Sequence, residues 1–302
     1  MEKKKKHNRK ATKSSSFGTR GRISHNSSDF YNSKLYHQIN INSNIPYREN
    51  TIPEDYINQI LNKSSENMKE IPDESIHLII TSPPYNVGKD YDKDYTLEDY
   101  RKFLINVFKE SYRILVPGGR ICINIANIGR KPYIPLHAYL IIDLLKIGFL
   151  MRGEIIWNKG ASALNSTAWG TWLKATNPVL RDIHEYILIF CKDTFTRKNP
   201  KKRKSTITKE EFLTNTKSIW EIPAEKAKKI GHPAPFPVAL PYRLIQLYTF
   251  EEEIILDPFV GSGTTCIAAL QSNRKFIGYE SNRKYYLLAK NRIKEFLKSL
   301  NT

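Results

Sequence analysis

Cysteine is scarce. The 302 residues contain three, Cys122, Cys191 and Cys266, none near another. That excludes a disulfide scaffold and a cysteine-rich zinc site, and fits a reducing compartment. Long hydrophobic runs are also missing. Apolar stretches such as 78–80 and 187–191 are strand-sized, against the ~20 residues of a membrane helix, so no membrane partner is expected. The N-terminus lacks the apolar segment of a secretory leader, and a cytoplasmic location is expected. The seven histidines are scattered without paired-ligand spacing, and no metal is expected. Acid is in short supply, with 30 Asp and Glu against 48 Lys and Arg, a formal charge of +18.

That charge is concentrated in two blocks. Residues 1–22 carry +8 and residues 196–204 carry +6, so the rest of the chain holds about +4. Two basic blocks on a near-neutral body point to a polyanion such as DNA, with a solvated tail and loop as the competing reading. Residues 1–30 read as a disordered basic tail. In the second block Arg197, Lys198, Lys201, Lys202, Arg203 and Lys204 are the candidate DNA-backbone contacts, joined by Lys226–Lys229.

Past a short helix expected around 54–63, strand and helix signals alternate. Strands are expected at 75–81, 120–125, 154–158, 184–191, 253–256 and 275–279. Helices are expected at 96–115, stopped by Pro117-Gly118-Gly119, and at 135–147, 237–250, 264–271 and 282–300. Alternation of this kind predicts an α/β fold, a mostly parallel, doubly wound sheet with helices on both faces. Two stretches interrupt it, 160–182, rich in Trp, Asn and Ser, and 193–231, basic and proline-containing. Both are candidate inserts.

Two corners carry the chemistry. Asp257-Pro258-Phe259-Val260-Gly261-Ser262-Gly263-Thr264 follows a strand and opens a helix. Small residues let a ligand approach the backbone, and the helix start offers free N–H groups. No GxxxxGK is present, so this is not a nucleoside-triphosphate P-loop. Glu280 ends the next strand 19 residues after Gly261, where such folds hold ribose hydroxyls. The third dinucleotide glycine is replaced by Cys266, which favours a smaller adenosine ligand over a pyrophosphate. A purely structural strand–turn–helix corner is the competing reading.

The second corner, Ser82-Pro83-Pro84-Tyr85, directly follows a buried strand. Two prolines force a rigid turn at the strand end where open α/β sheets bind ligands. A hydroxyl, a proline carbonyl and an aromatic ring suit a planar base bearing an exocyclic amine. Ser82 and the Pro83 carbonyl can accept its two N–H hydrogens, and Tyr85 can stack on the ring. An ordinary proline loop is the alternative.

Together the corners resemble the amino-methyltransferases that use S-adenosylmethionine (SAM) on DNA. Ser82–Tyr85 matches that family's catalytic motif and Asp257–Thr264 its SAM motif. The catalytic motif comes first, which resembles the circularly permuted beta class, of the type II restriction–modification kind. His232-Pro233-Ala234-Pro235-Phe236-Pro237 resembles the class's motif at the wall of the SAM site. The resemblance implies a Rossmann-like fold with a catalytic half at 31–192, a target-recognition insert at 193–231 and a SAM-binding half at 232–302. It implies that Asp257, Pro258, Phe259, Gly261, Ser262, Gly263, Thr264, Glu280, His232 and Pro233 hold SAM. Asp257 would sit near the methionine amino group and Glu280 on the ribose. Ser82, Pro83, Pro84 and Tyr85 would hold a flipped base, and serine at the motif's head implies cytosine N4 as the target. Adenine-N6 methylation, methylation of RNA or protein, and a non-catalytic DNA-binding module are the alternatives. Implied partners are duplex DNA, a cognate restriction endonuclease and a second copy of the chain.

Overall fold

The computed structural model describes residues 31, 33–36, 45–85, 94–160, 170–225, 230 and 235–300. Met1–Ser43 and Asn44–Thr302 form separate units. In the first, Tyr36 N donates to Ser33 O at 3.0 Å. The second is built on one sheet with strands β1 (Gln59–Leu61), β2 (Ile76–Thr81), β3 (Leu115–Ile125), β4 (Leu150–Asn158), β5 (His184–Cys191), β6 (Ile219–Glu221), β7 (Ile254–Asp257) and β8 (Lys275–Tyr279). Their order is β1-β8-β7-β2-β3-β5-β4-β6. Pairings among β1, β8, β7, β2 and β3 are parallel, β5 is antiparallel to β3 and β4, and β6 is parallel to β4.

Local sequence explains the elements. All six residues of β2 are buried, as expected of a central strand covered on both faces. Its side chains alternate between two cores. Ile79 packs with Tyr100, Leu104, Phe108 and Leu140, and Leu78 and Ile80 pack with Leu244, Ile267 and Ala289. Helices α1 (Leu97–Ile114) and α2 (Leu136–Ile147) therefore cover one face. Helices α4 (Ala239–Tyr248), α5 (Thr264–Gln271) and α6 (Arg283–Leu300) cover the other. Thr96 caps α1 by accepting from Asp99 N at 3.1 Å, and Gly148, at φ 114°, ends α2. Among the described residues no helix is long and apolar enough to cross a membrane.

Three expectations change. The helix expected around 54–63 is a 3-10 turn at Glu54–Tyr56 followed by β1. Asn58 stands between them at φ 58°. It donates its N–H to Phe276 O at 2.8 Å, and its Oδ1 accepts from Phe276 N at 3.0 Å, so the segment is drawn onto the β8 edge. Pro117-Gly118-Gly119 ends the helix but does not delay the strand. β3 runs through it from Leu115, and its register against β2 shifts there. The stretch 193–231 is not wholly an insert. It contains α3 (Lys209–Asn215) and β6, which extends the sheet beyond β4. Trp220 of β6 is 1% exposed, and the Trp157 indole donates to Ile222 O at 2.8 Å.

Candidate active site

Every strand but β5 points the same way, so the C-terminal ends of β2, β3, β4, β7 and β8 share one edge with the N-terminal end of β5. β2 and β7 are neighbours, yet the chain leaves β2 toward β3 and β7 toward β8. That divergence is a topological switch point, where open α/β sheets form ligand crevices. Both motif corners emerge there. Thr81 Oγ1 donates to Asp257 Oδ1 at 2.7 Å, joining corners 176 residues apart.

On the β7 side Asp257 is 1% exposed. Its Oδ1 also accepts from Phe259 N at 3.0 Å, while Oδ2 is buried without a partner. Burial pushes its carboxyl up to about 6, against the pull of the Thr265 and Thr81 hydroxyls and the Phe259 N–H. Gly261 and Gly263 both take positive φ, 53° and 81°. A Cβ on Gly263 would approach Ala289 Cβ to 3.2 Å, so the turn lies tight on α6. Gly263 leaves the start of α5 without a side-chain cap, which keeps that helix start for a ligand. Ser262 and Thr264 hydroxyls sit 3.3 Å apart, and Arg292 donates to the Ser262 carbonyl. Phe259, after Pro258, packs on Phe103 with ring centroids at 5.8 Å. Glu280 accepts from Gly261 N at 2.9 Å and Asn282 N at 2.8 Å, and burial raises its pKa. An unspent buried carboxylate oxygen, an uncapped helix start and a second acid beyond the neighbouring strand fit SAM's amino group, carboxylate and ribose. His232 and Pro233 lie outside the described residues.

On the β2 side Ser82 Oγ is 3.2 Å from Tyr85 OH. Tyr85 OH donates to Glu185 Oε2 at 3.2 Å. A phenol has one hydrogen, so Ser82 is the donor in the Ser–Tyr contact. Asn124 Nδ2 reaches Ser82 Oγ only at 3.5 Å, and a serine oxygen has two lone pairs, so an acceptor site stays available. Asn124 Nδ2 donates more closely to Glu185 Oε2, at 2.6 Å, and to Tyr85 OH at 3.3 Å. Lys159 Nζ holds the other oxygen of Glu185 at 2.6 Å. Burial first, then the Glu185 charge, raises the Tyr85 pKa well above its usual value, so the phenol keeps its proton. Asn124 Oδ1 is a second buried acceptor without a partner. Pro83 is buried and Pro84 half-buried, fixing the turn.

Asn124, Lys159 and Glu185 join the candidate site through these hydrogen bonds, and motif reading misses them. The available signal was a charged residue opening the apolar run 184–191, beside Lys159 at the end of β4. Register supplies the rest. Glu185 pairs with Trp157 on β4, and Asn124 pairs with Ile187.

The basic run is placed elsewhere. Lys192 O accepts from Gly118 N, and Lys204 O accepts from Glu251 N, each at 2.9 Å. These anchors hold 192–204 at the N-terminal ends of β2, β3 and β7. A six-residue β2 puts about 20 Å between that edge and Ser82. Arg197 pairs with Glu253 at 2.6 Å. Arg203 pairs with Glu49 at 2.6 Å and Glu253 at 3.4 Å, and Lys201 pairs with Glu49 at 2.8 Å. Two of the six expected DNA contacts are thus half-buried guanidiniums committed to internal acids. Lys198, Lys201, Lys202 and Lys204 lie nearer the surface, but on the edge away from the crevice. Lys226–Lys229 lie outside the described residues.

Comparison with known proteins agrees with this geometry. Residues 76–291 match the N6/N4 methyltransferase family, described as DNA methylase. The type II methyltransferase M.MjaI of Methanocaldococcus jannaschii is 34% identical, over 74% of this chain and 87% of that protein. The DNA adenine methyltransferase YhdJ of Escherichia coli is 28% identical, over 75% and 79%. The DNA modification methylase TTHA0409 of Thermus thermophilus, solved in complex with S-adenosyl-L-methionine, superposes with a TM-score of 0.64 at 32% identity, over 78% of this chain and 94% of that one. The chain therefore belongs to the N6/N4 family of SAM-dependent DNA methyltransferases.

Proposed function

We propose that the protein methylates the exocyclic N4 amine of cytosine in duplex DNA, as the modification enzyme of a restriction–modification system. The observation that carries this reading is Ser82 at the crevice, its hydroxyl hydrogen turned to Tyr85 and an acceptor site on its oxygen left over. A ring amine is a poor nucleophile because its lone pair is conjugated. Accepting its two hydrogens at Ser82 Oγ and the Pro83 carbonyl draws the nitrogen toward tetrahedral geometry and frees that pair. Bound SAM supplies the methyl group. The nitrogen then sheds a proton, and the chain Ser82–Tyr85–Glu185 leads it toward a carboxylate held by Lys159. The target base is paired in a duplex, so it is flipped out, at a cost of a few kcal/mol. A cognate endonuclease and a second copy of the chain are the further partners of this reading.

Adenine N6 is the second reading, favoured by the likeness to YhdJ. The test is nucleoside analysis of DNA from cells expressing the protein. N4-methylcytosine is expected. N6-methyladenine alone would overturn the choice of base, and DNA without either would overturn the activity.

A further inference from the structure

The loop between β4 and β5, which leaves the sheet at the edge of the catalytic network, carries large apolar side chains into solvent. Trp172 is 62% exposed, Leu173 86% and Leu180 86%. The loop springs from the network itself. Lys159, which holds Glu185, donates its N–H to Ile183 O at 2.7 Å. Its described part, 170–183, is firmly built. Gly170 and Pro178 form an antiparallel bridge. Thr171 N donates to Asn177 O at 2.9 Å, Thr171 Oγ1 to Lys174 O at 2.8 Å, and Asn177 N to Thr171 Oγ1 at 2.9 Å. A Cβ at Gly170 would fall 2.1 Å from Asn177 O, so glycine is required at the closure. At the tip Leu173 stands at φ 51°, a conformation that costs a branched residue on the order of 1 kcal/mol. An exposed leucine held there gains nothing for the fold of this chain.

Cations accompany the two loops at this edge. Lys174 follows it, and Arg130 and Lys131 lie on the loop after β3. Arg130 pairs with Asp182 at 3.0 Å, which ties the two loops together. An exposed apolar tip with Lys174 beside it, on a loop joined to the one that carries Arg130 and Lys131, matches a DNA duplex, with stacked bases inside and phosphates outside. Proteins that distort duplexes insert such wedges between base steps and recover the unstacking cost in contacts.

We infer that the Trp172–Leu173 tip is the wedge that enters the duplex and opens the target base pair. This rests on the proposed function and goes beyond it. The base-handling residues Ser82 and Tyr85 need not break the pair themselves. Lys174 and Lys131 then contact the flanking backbone.

The test compares wild-type protein with the double variant Trp172→Ala, Leu173→Ala. Methyl transfer is measured on a duplex carrying the site mapped in expressing cells, and on the same duplex with an abasic position opposite the target base. SAM binding reports on the fold. On the paired duplex the variant is expected to be slower by about tenfold, as removal of part of a few-kcal/mol opening step implies. On the abasic duplex it should return to within about twofold of wild type. Equal slowing on both duplexes, or no slowing on either, overturns the wedge while the methyltransferase reading stands. Wild-type protein that methylates neither duplex overturns both.

Discussion

At the N-terminal edge of the sheet, Glu253 is 2% exposed and receives Arg197 at 2.6 Å and Arg203 at 3.4 Å. Glu49, 8% exposed, receives Arg203 and Lys201. His77 accepts from Ile254 N at Nδ1, 3.1 Å away, so its other nitrogen carries the hydrogen and faces Glu49 at 3.4 Å. At the C-terminal edge, Asp257 and Asn124 each keep one buried oxygen without a partner, and Ser82 keeps an acceptor site. One edge spends its acids on neighbouring cations, with the Arg120 Nε donor left over, and the other leaves acceptors waiting. Burying an unpaired acceptor costs about 1–3 kcal/mol. A fold tolerates that where a ligand later supplies the donor, so the edge with unspent acceptors is the edge of the chemistry.

The sharpest way to break this contrast is to unpair the closed edge. Arg203→Ala takes one cation from Glu49, which keeps Lys201, and one from Glu253, which keeps Arg197, so a loss of about 1.5–3 kcal/mol is expected, that of a hydrogen bond to a charged group. Thermal unfolding should show a large drop in Tm. The KM for DNA of protein that remains folded should not move, and a selective rise in it would return Arg203 to the DNA interface. The pH dependence has a definite sign. Burial alone would raise the Glu49 pKa, but hydrogen bonds from His77, Arg203 and Lys201 hold it well below the carboxylate range. Its contribution is therefore present above the ordinary glutamate pKa of about 4.3 and is lost as pH falls below it.

At the open edge, Ser82→Ala removes an acceptor for the reacting amine. A fall in kcat on the order of 10² to 10³ is expected, the scale of losing one preorganised polar group at a reacting centre, with SAM affinity unchanged. Turnover that survived while SAM still bound would end the role given to Ser82. Glu185→Gln keeps the shape but not the charge behind Tyr85, and about a tenfold loss in kcat is expected. The loss should fall on single-turnover methyl transfer while KM for DNA and SAM affinity hold. A merely structural Glu185 would lower Tm and raise KM along with the loss in turnover.

Asp257 gives a prediction in pH. Its carboxyl stands at about 6, so it is charged above that value and neutral below. SAM's ammonium prefers the charged form. SAM affinity, measured calorimetrically, should fall up to about tenfold between pH 7 and pH 5. A flat profile would place the amino group elsewhere.

Much of this edge was legible in the sequence, for a physical reason. Ser82–Tyr85 and Asp257–Thr264 are each contiguous, because a strand end and the turn after it form one local unit. The strands at 184–191 and 275–279 and the helix at 264–271 were legible for the same reason, being short, apolar and bounded by polar residues. Glu185, Asn124 and Lys159 were not. They meet only through the register of β3, β4 and β5, and no local pattern encodes register between strands tens of residues apart. The far edge misled in the opposite way. Arg197 and Arg203 add to a basic run in sequence, while their counter-charges, Glu49 and Glu253, come from distant segments.

The smallest expected effect tests what is left of the basic run. Lys198, Lys202 and Lys204 lie near the surface, so their charge is not consumed as completely as that of the two arginines. They sit about 20 Å from the catalytic corner along the strands, two or more screening lengths at physiological salt. A duplex docked at the crevice should feel them weakly. Replacing all three by alanine should change DNA affinity less than about twofold at physiological ionic strength and leave the methylated sequence unchanged. The effect should grow at low salt, where screening relaxes. A large loss at physiological salt would mean that DNA wraps from one edge of the sheet to the other. The closed edge would then hold DNA as well as the fold, and the division of labour between the edges would fail.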